Sequence, residues 1–199
     1  MNCVMQLSDL DLTKTYTYAD YLNWSFDERL ELIRGKIFKM SPAPSSGHQS
    51  VSGAVFSEIY NHLKKKPCKV FSAPFDVRLM RRSADDRDVV TVVQPDICVI
   101  CDLKKIDTKG CIGSPDIIIE ILSPGNNTKE LQNKYEIYEE AGVLEYWIIH
   151  PVEETFLKYV LIENQFQPSR LLTVGDLVTT PILPGFLMDL KELFAEANG

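Results

Sequence analysis

The sequence predicts an α/β fold in which a mixed β-sheet is flanked by helices. Two continuous apolar runs, at 116–122 and 145–149, enclose an amphipathic segment at about 126–141 that stops at Gly142. Apolar strands on both sides of a helix are typical of a right-handed βαβ crossover in a sheet covered on both faces. The 199 residues suit one domain, 1–199, with its core at about 18–161 and a C-terminal β extension at about 152–199.

The N-terminal half supplies the other elements of the predicted core. Thr17 is expected to cap a short helix, and two strands joined at Arg34-Gly35 are expected to form an N-terminal β-hairpin. A long amphipathic helix is predicted from about Ser46 to Lys65, where Pro67 ends it. The predicted strands of this half are 30–33, 36–40, 69–72, 75–80, 89–93 and 97–101.

The second half adds two connections and a C-terminal appendage. The polar stretch 102–115 is expected to be a loop, and a turn is expected at Ser123-Pro124-Gly125. After residue 150, strand-like segments, a turn at Glu163-Asn164 and a final short helix form a β appendage. Its open strand edges favour pairing with a second copy, so a homodimer is expected.

Composition and charge exclude several classes of protein. The net charge of -7 argues against a protein that coats nucleic acid, but not against an enzyme whose acidic site binds a cation. The chain has no apolar run of about 18 residues and no N-terminal secretory signal, so neither a membrane span nor secretion is predicted. Cys98 and Cys101 point to opposite faces of a predicted strand, so buried, reduced thiols and a cytoplasmic protein are expected.

Basic residues are clustered in two places along the acidic chain. We interpret the clusters as a solvated helix end and a hairpin tip, with phosphate contact as the functional alternative. They comprise Lys64, Lys65, Lys66 and Lys69, and then Arg78, Arg81, Arg82 and Arg87.

Two acidic residues stand in or beside buried strands. Glu120 is flanked by Ile119 and Ile121 in the most apolar run, and Asp96 begins an earlier predicted strand. A buried carboxylate is costly without a partner, and two carboxylates on adjacent strands repel each other unless a cation lies between them. Oxygen ligands of this kind suit Mg²⁺, or Mn²⁺, bound together with a substrate phosphate. For Asp96 alone, a turn residue after Pro95 is the structural alternative.

A lysine lies inside the apolar stripe of the helix predicted at 126–141. Lys134 shares this stripe with Leu131, Tyr138 and Ala141, which should face the sheet. The lysine either snorkels to the surface or points over the sheet towards the carboxylates. In the second case it would orient an attacking water or neutralise charge that develops on a phosphate.

Several segments of the chain carry a resemblance to one family. They are ELIRGKIFKMSP followed by His48-Gln49, FDVRL, VQPDICVI, SPDIIIEILSP and NKYEIYEEAGVLEYWIIHP. Together they resemble the Uma-type family of restriction endonucleases in the PD-(D/E)XK nuclease superfamily, in the family's order over most of 18–161. The restriction-endonuclease-like core of that superfamily is αβββαβ, the order predicted here for about 46–149.

The resemblance implies a role for each matching residue. Pro95-Asp96 corresponds to the PD element and Glu120 to the acidic residue of (D/E)XK, where Leu122 replaces the expected lysine. In some nucleases of this superfamily the lysine has moved to the following helix, and Lys134 occupies that position here. Glu31 matches the upstream acidic residue of the family. The implied site has catalytic Glu31, Asp96, Glu120 and Lys134, a metal held by Asp96, Glu120 and the backbone carbonyl of Ile121, and substrate-binding His48, Gln49 and Arg78.

These inferences lead to competing hypotheses of function. The main hypothesis is a Mg²⁺-dependent endonuclease that hydrolyses phosphodiester bonds of DNA. The alternative is a catalytically inactive nuclease-fold protein that serves binding or assembly, favoured by the acidic charge and the displaced lysine. A third hypothesis is a metal-dependent hydrolase of a small phosphorylated substrate. For His48, a helix-start histidine with a hydrogen-bond partner is the structural alternative.

Overall fold

The computed structural model describes residues 6–26, 28–40, 45–79, 85–123 and 128–197. Pro124 and Gly125 of the predicted turn, and Arg81 and Arg82 of the basic cluster, lie outside these residues. Within the described ranges, no helix is both long enough and apolar enough to cross a membrane. The elements in chain order are α1 (Tyr18–Tyr21), β1 (Leu30–Ile33), β2 (Lys36–Lys39), α2 (Ser46–Leu63), β3 (Lys69–Ser72), β4 (Val77–Arg78), β5 (Val92–Val93), β6 (Ile97–Ile100), β7 (Ile106–Asp107), β8 (Gly110–Ile112), β9 (Ile117–Ile121), α3 (Thr128–Ala141), β10 (Glu145–His150), β11 (Thr155–Ile162), β12 (Gln165–Pro168), β13 (Leu172–Thr173), β14 (Leu177–Val178), β15 (Met188–Asp189) and α4 (Leu190–Ala197).

A mixed sheet forms the centre of the fold. In the described part of the chain its strand order is β12-β11-β10-β9-β6-β3, with β13 beside β11. Strands β9 and β10 run parallel on either side of α3, with Ile148 beside Glu120, as the predicted crossover requires. The succession α2, β3, β6, β9, α3 and β10 is the predicted αβββαβ core, and β11 to β13 extend its sheet.

Helices cover both faces of this sheet. Helices α2 and α4 pack on one face, where Val55 and Phe194 share a core cluster with Ile119 of β9. Helix α3 packs on the other face, where Tyr138 shares a second cluster with Ile118. Because side chains alternate along a strand, the even-numbered Glu120 is directed to the α3 face.

A second sheet contains the predicted N-terminal hairpin. Its order is β2-β1-β5-β4-β8-β7, and the hairpin turn has φ of 51° at Arg34 and 75° at Gly35, as predicted. The prediction of a loop at 102–115 is wrong, because β7 and β8 lie in this stretch and β8 pairs in parallel with β4. Strands of two or three residues carry no detectable period, so their pairing depends on tertiary contacts.

The cysteine prediction is correct for one residue of the pair and wrong for the other. Cys98 is a free, buried thiol, but Cys101 forms a disulfide with Cys68. Strand register is the cause: Lys69 lies opposite Ile100 in the antiparallel β3–β6 pair, so the next residues outward are opposite each other.

Candidate active site

A buried ion cluster lies where β9 faces α3. The Lys134 ammonium is 2.9 Å from Glu120 Oε1 and 3.3 Å from Glu31 Oε1. Tyr138, one helical turn after Lys134, donates its hydroxyl to the same Glu120 oxygen at 2.7 Å. Lys134 is only 5% exposed, so it points inward and does not snorkel.

Burial and charge set the protonation of this cluster. Burial raises the pKa of Glu120, and so do the charges of Asp96 and Glu31, while Lys134 opposes them. Burial alone would lower the pKa of Lys134, but Glu120 and Glu31 together raise it well above its usual value. A neutral Glu120 would remove one of these two charges, but Glu31 remains beside the ammonium. Lys134 is therefore a cation at neutral pH and cannot act as a proton acceptor.

Glu31 is fixed by the residue that precedes the Pro-Asp element. Its Oε1 accepts the backbone N–H of Gln94 at 2.9 Å, in addition to the contact from Lys134. The Gln94 side chain accepts from Arg29 at 2.9 Å and donates to Asp76 at 2.8 Å. Gln94 therefore ties the hairpin that carries Glu31 to the segment with Asp96 that leads into β6.

Asp96 lies in a more open environment than Glu120. Its Oδ2 accepts the backbone N–H of Ile121 at 2.8 Å and lies 3.3 Å from His48 Nε2. Its side chain is 23% exposed, against 9% for that of Glu120. Burial alone would lower the pKa of His48, but Asp96 and the nearby Ile121 carbonyl raise it overall. The other ring nitrogen of His48, Nδ1, is buried and has no hydrogen-bond partner in the described ranges.

A cavity of about 240 Å³ opens beside Asp96. Both residues predicted to bind substrate at the start of α2, His48 and Gln49, line it. The remaining lining residues are Arg29, Ser52, Gly53, Phe56, Ser72, Ala73 and Asp96. A larger cavity, of about 830 Å³, lies away from these residues beside the N-terminal segment.

The residues present fit a hard divalent cation that retains several water ligands. Among the described residues, the hydrogen bonds of Asp96 use only Oδ2 and those of Glu120 only Oε1, which leaves Oδ1 and Oε2 as donors to a metal. No cluster of three or more His, Cys, Asp or Glu residues suited to a metal occurs in those same ranges. Mg²⁺ does not need one, because it commonly binds one or two carboxylates together with waters and substrate phosphate. Asp96, Glu120 and the Ile121 carbonyl would hold it.

Arg78 is not part of this arrangement, contrary to the prediction from sequence. It is 2% exposed, contacts Asp86 and Asp107, and lies 5.2 Å from the centroid of the Tyr18 ring. Burial alone would lower its pKa, but Asp107 leads the groups that raise it overall. Arg78 therefore stabilises the second sheet and is not available to a substrate.

Tyr138 and Arg29 are not predicted as site residues from the sequence, but both lie at the candidate site. Tyr138 was recognised as a neighbour of Lys134 on the helical stripe, and its hydroxyl in a buried stripe is a detectable signal for a polar contact. Arg29 precedes a strand and has no pattern that distinguishes it from other surface arginines. Asp116, the second Pro-Asp aspartate, accepts the backbone N–H of Cys101 at 2.7 Å and is structural.

The fold is a mixed α/β architecture of the nuclease-like class. A solved structure from Anabaena variabilis, described as a putative nuclease belonging to DUF820, has a similar fold, with a TM-score of 0.72. At 23% sequence identity the alignment covers 92% of this chain and 99% of that one. The family model "Uma2: Putative restriction endonuclease" matches residues 18–191. The chain therefore belongs to the Uma2 family.

One curated relative adds a more distant similarity. It is an uncharacterized protein of Synechocystis sp. that is 22% identical over 132 residues. The alignment covers 65% of this chain and 65% of that relative.

Proposed function

We propose that the protein is a divalent-metal-dependent endonuclease that hydrolyses phosphodiester bonds of DNA. The observation that carries this proposal is the contact of Lys134 with Glu120 in β9. The next residue of that strand, Ile121, donates its backbone N–H to Asp96, so the three charged groups belong to one cluster. In the hydrolysis, water adds to phosphorus, the P–O3′ bond breaks, and the products carry a 5′-phosphate and a 3′-hydroxyl. Bound Mg²⁺ or Mn²⁺ would lower the pKa of that water and polarise the phosphate.

Lys134 contributes positive charge next to the reacting phosphate. Its raised pKa keeps the ammonium protonated, so it stabilises negative charge that develops on phosphate oxygens. Glu31 acts on the reaction through Lys134, because its carboxylate holds the ammonium and takes its own position from Gln94. We therefore assign Glu31 a positioning role.

The cavity beside Asp96 is the proposed place for the phosphate. His48 and Gln49 lie in the first turn of α2, where backbone N–H groups and the positive end of the helix favour an anion. The guanidinium of Arg29 is exposed at the same cavity and supplies a further cation. A homodimer remains part of this proposal, since β12 forms one open edge of the central sheet.

Cleavage of supercoiled plasmid tests this function. Purified protein should nick or linearise the plasmid with Mg²⁺ or Mn²⁺ and lose the activity when EDTA is added. Glu120→Gln and Lys134→Met should each remove the cleavage, because one loses the carboxylate and the other the charge. Lys191→Met, at an exposed position, is the matched control and should cleave like the wild type. Equal cleavage by all four proteins would identify a contaminating nuclease and refute the proposal.

A second candidate function is a nuclease-fold protein that binds or assembles without catalysis. The saturation of Glu120 Oε1 by Lys134 and Tyr138 favours it, because this oxygen already has two donors. Calorimetric titration with Mg²⁺ and Mn²⁺ separates the two functions. Binding that is lost in Asp96→Asn supports the enzyme, whereas no heat of binding at millimolar metal supports the inactive protein.

A further inference from the structure

We propose that the exposed side of α2 is a track for single-stranded DNA that leads into the candidate active site. This inference rests on the proposed nuclease function and names the form of its substrate. We define the aromatic ridge as Phe56, Tyr60 and Lys64, which follow one another at four-residue spacing along α2 and its C-terminal end.

The aromatic ridge presents the exposed ring of Tyr60 to solvent, stacked on the half-buried ring of Phe56. Val51, Val55 and Ile59 form the buried stripe of α2 and are fully enclosed. On another side of the helix, the rings of Phe56 and Tyr60 have centroids 5.9 Å apart and an interplanar angle of 14°. Tyr60 is 53% exposed, so the packing of the described residues does not explain an aromatic side chain there.

The aromatic ridge is continuous with the candidate active site. Phe56 lines the same cavity as Asp96 and His48. Tyr60 follows Phe56 by one helical turn, about 6 Å along the axis. Gly53 contributes to the same cavity wall, and its missing side chain leaves open space there, since a Cβ would have no neighbour within 4 Å.

Positive charges lie at both ends of the aromatic ridge. The Lys64 ammonium is 5.7 Å from the centroid of the Tyr60 ring, and Arg29 lies at the cavity beyond Phe56. Lys65 and Lys66 are exposed next to Lys64. These cations form a local basic region on an acidic chain, which suits a polyanion of limited length.

This combination of groups recognises unpaired nucleotides. Aromatic faces stack on bases of any sequence, and neighbouring cations contact the backbone phosphates. Base pairing hides the faces of the bases inside a duplex, so the aromatic ridge offers less to double-stranded DNA. A strand stacked on Tyr60 and Phe56 would extend into the cavity with its next phosphate towards Asp96.

Binding measured without metal tests the track independently of catalysis. The probe is a fluorescently labelled oligonucleotide of about 20 nucleotides, single-stranded or annealed to its complement, with Glu120→Gln as the background protein. We expect tighter binding of the single strand, and about tenfold weaker binding after Tyr60→Leu, as loss of one stacked base predicts. Tyr60→Phe keeps the ring and should bind like the background protein. Lys64→Ala should weaken binding and its salt dependence, whereas Lys191→Ala should change neither.

Two further variants report on the track directly. Tyr60→Trp should lose indole fluorescence when the single strand is added, because a stacked base quenches the ring. Gly53→Glu should weaken single-strand binding, because it puts a negative charge into the open space at the cavity wall. Melting temperatures of all variants establish that lost binding is not lost folding.

The possible outcomes separate the track from the proposed function. Equal affinity for both DNA forms, or full binding by Tyr60→Leu, overturns the track even if the wild type cleaves plasmid. Single-strand binding that depends on Tyr60, without metal-dependent cleavage of either the plasmid or the single-stranded oligonucleotide by the wild type, supports the track and refutes the nuclease function. Self-association without DNA that Tyr60→Leu abolishes would assign the aromatic ridge to a second copy of the chain and overturn the track.

Discussion

Two carboxylates, Glu120 near the end of β9 and Asp96 just before β6, differ in how far their surroundings enclose them. Glu120 is enclosed and engaged by Lys134 and Tyr138, whereas Asp96 is partly exposed and borders a cavity. The first arrangement keeps a lysine charged inside the protein, and the second leaves an oxygen accessible to an incoming ligand. Glu120 is thus the buried carboxylate and Asp96 the accessible one. Changes on the two sides should therefore differ in their effect on stability.

The largest effect on stability is expected from removing the Lys134 ammonium beside the enclosed Glu120. Lys134→Met should lower the free energy of unfolding by about 3 kcal/mol, because Glu120 and Glu31 would remain buried without a counter-charge. Urea denaturation measures this change.

The raised pKa of Glu120 means that its protonated form is favoured in the folded state, and this contribution to stability is lost as pH rises through that pKa. The deficit of the variant should therefore shrink as the pH falls from about 8 to about 5.

Asp96→Asn is the comparison on the open side. It keeps an oxygen that can accept the Ile121 N–H, so its unfolding free energy should change by less than about 1 kcal/mol. Cleavage should nevertheless be lost in both variants. Equal stability of the two variants would contradict the division between an enclosed and an open side.

A smaller effect is expected from the metal. Mg²⁺ or Mn²⁺ at about ten times its Kd should stabilise the folded protein by about 1.4 kcal/mol, because it binds the native arrangement of carboxylates only. Melting temperature with and without metal measures the effect, and EDTA should reverse it. Asp96→Asn should abolish the shift, whereas Asp116→Asn should keep it, since Asp116 accepts a backbone bond from Cys101 elsewhere. A full shift in Asp96→Asn would place the ion at another site.

The smallest effect is a difference between two histidines on one helix. The pKa of His48 should lie above the usual value near 6.5, because the Asp96 carboxylate outweighs its burial. The pKa of His62 should lie below it, because burial and the Lys66 ammonium both disfavour its charged form. An NMR titration of the imidazole resonances measures both, with His48→Gln and His62→Gln for assignment. In Asp96→Asn the pKa of His48 should fall while that of His62 stays the same, and a parallel fall of both would point to a global change.

The local pattern of the chain was sufficient for its main elements. The apolar runs, the Arg34-Gly35 turn and the stop at Gly142 predicted β1, β2, β9, α3 and β10 within a few residues. Helical spacing also placed Lys134 on the buried stripe with Tyr138, because residues four apart lie on one side of a helix, but it left open whether the ammonium reaches the surface or the carboxylates. Short strands and cross-strand contacts have no such local signal, so β7, β8 and the Cys68–Cys101 disulfide were missed.

The sequence by itself determined which residues carry charge in apolar surroundings: Glu31, Glu120 and Lys134 each interrupt an apolar pattern. Only the tertiary structure decided which of these charged residues contact one another. It placed Lys134 between the carboxylates of Glu120 and Glu31. It also buried Arg78 against Asp86 and Asp107, and it formed a cavity beside Asp96 and His48. The physical reason is the distance along the chain over which each signal acts. Periodicity is a local signal and shows which face of a helix or strand is buried. The partner of a buried charge comes from a distant segment, which strand register and helix packing bring close.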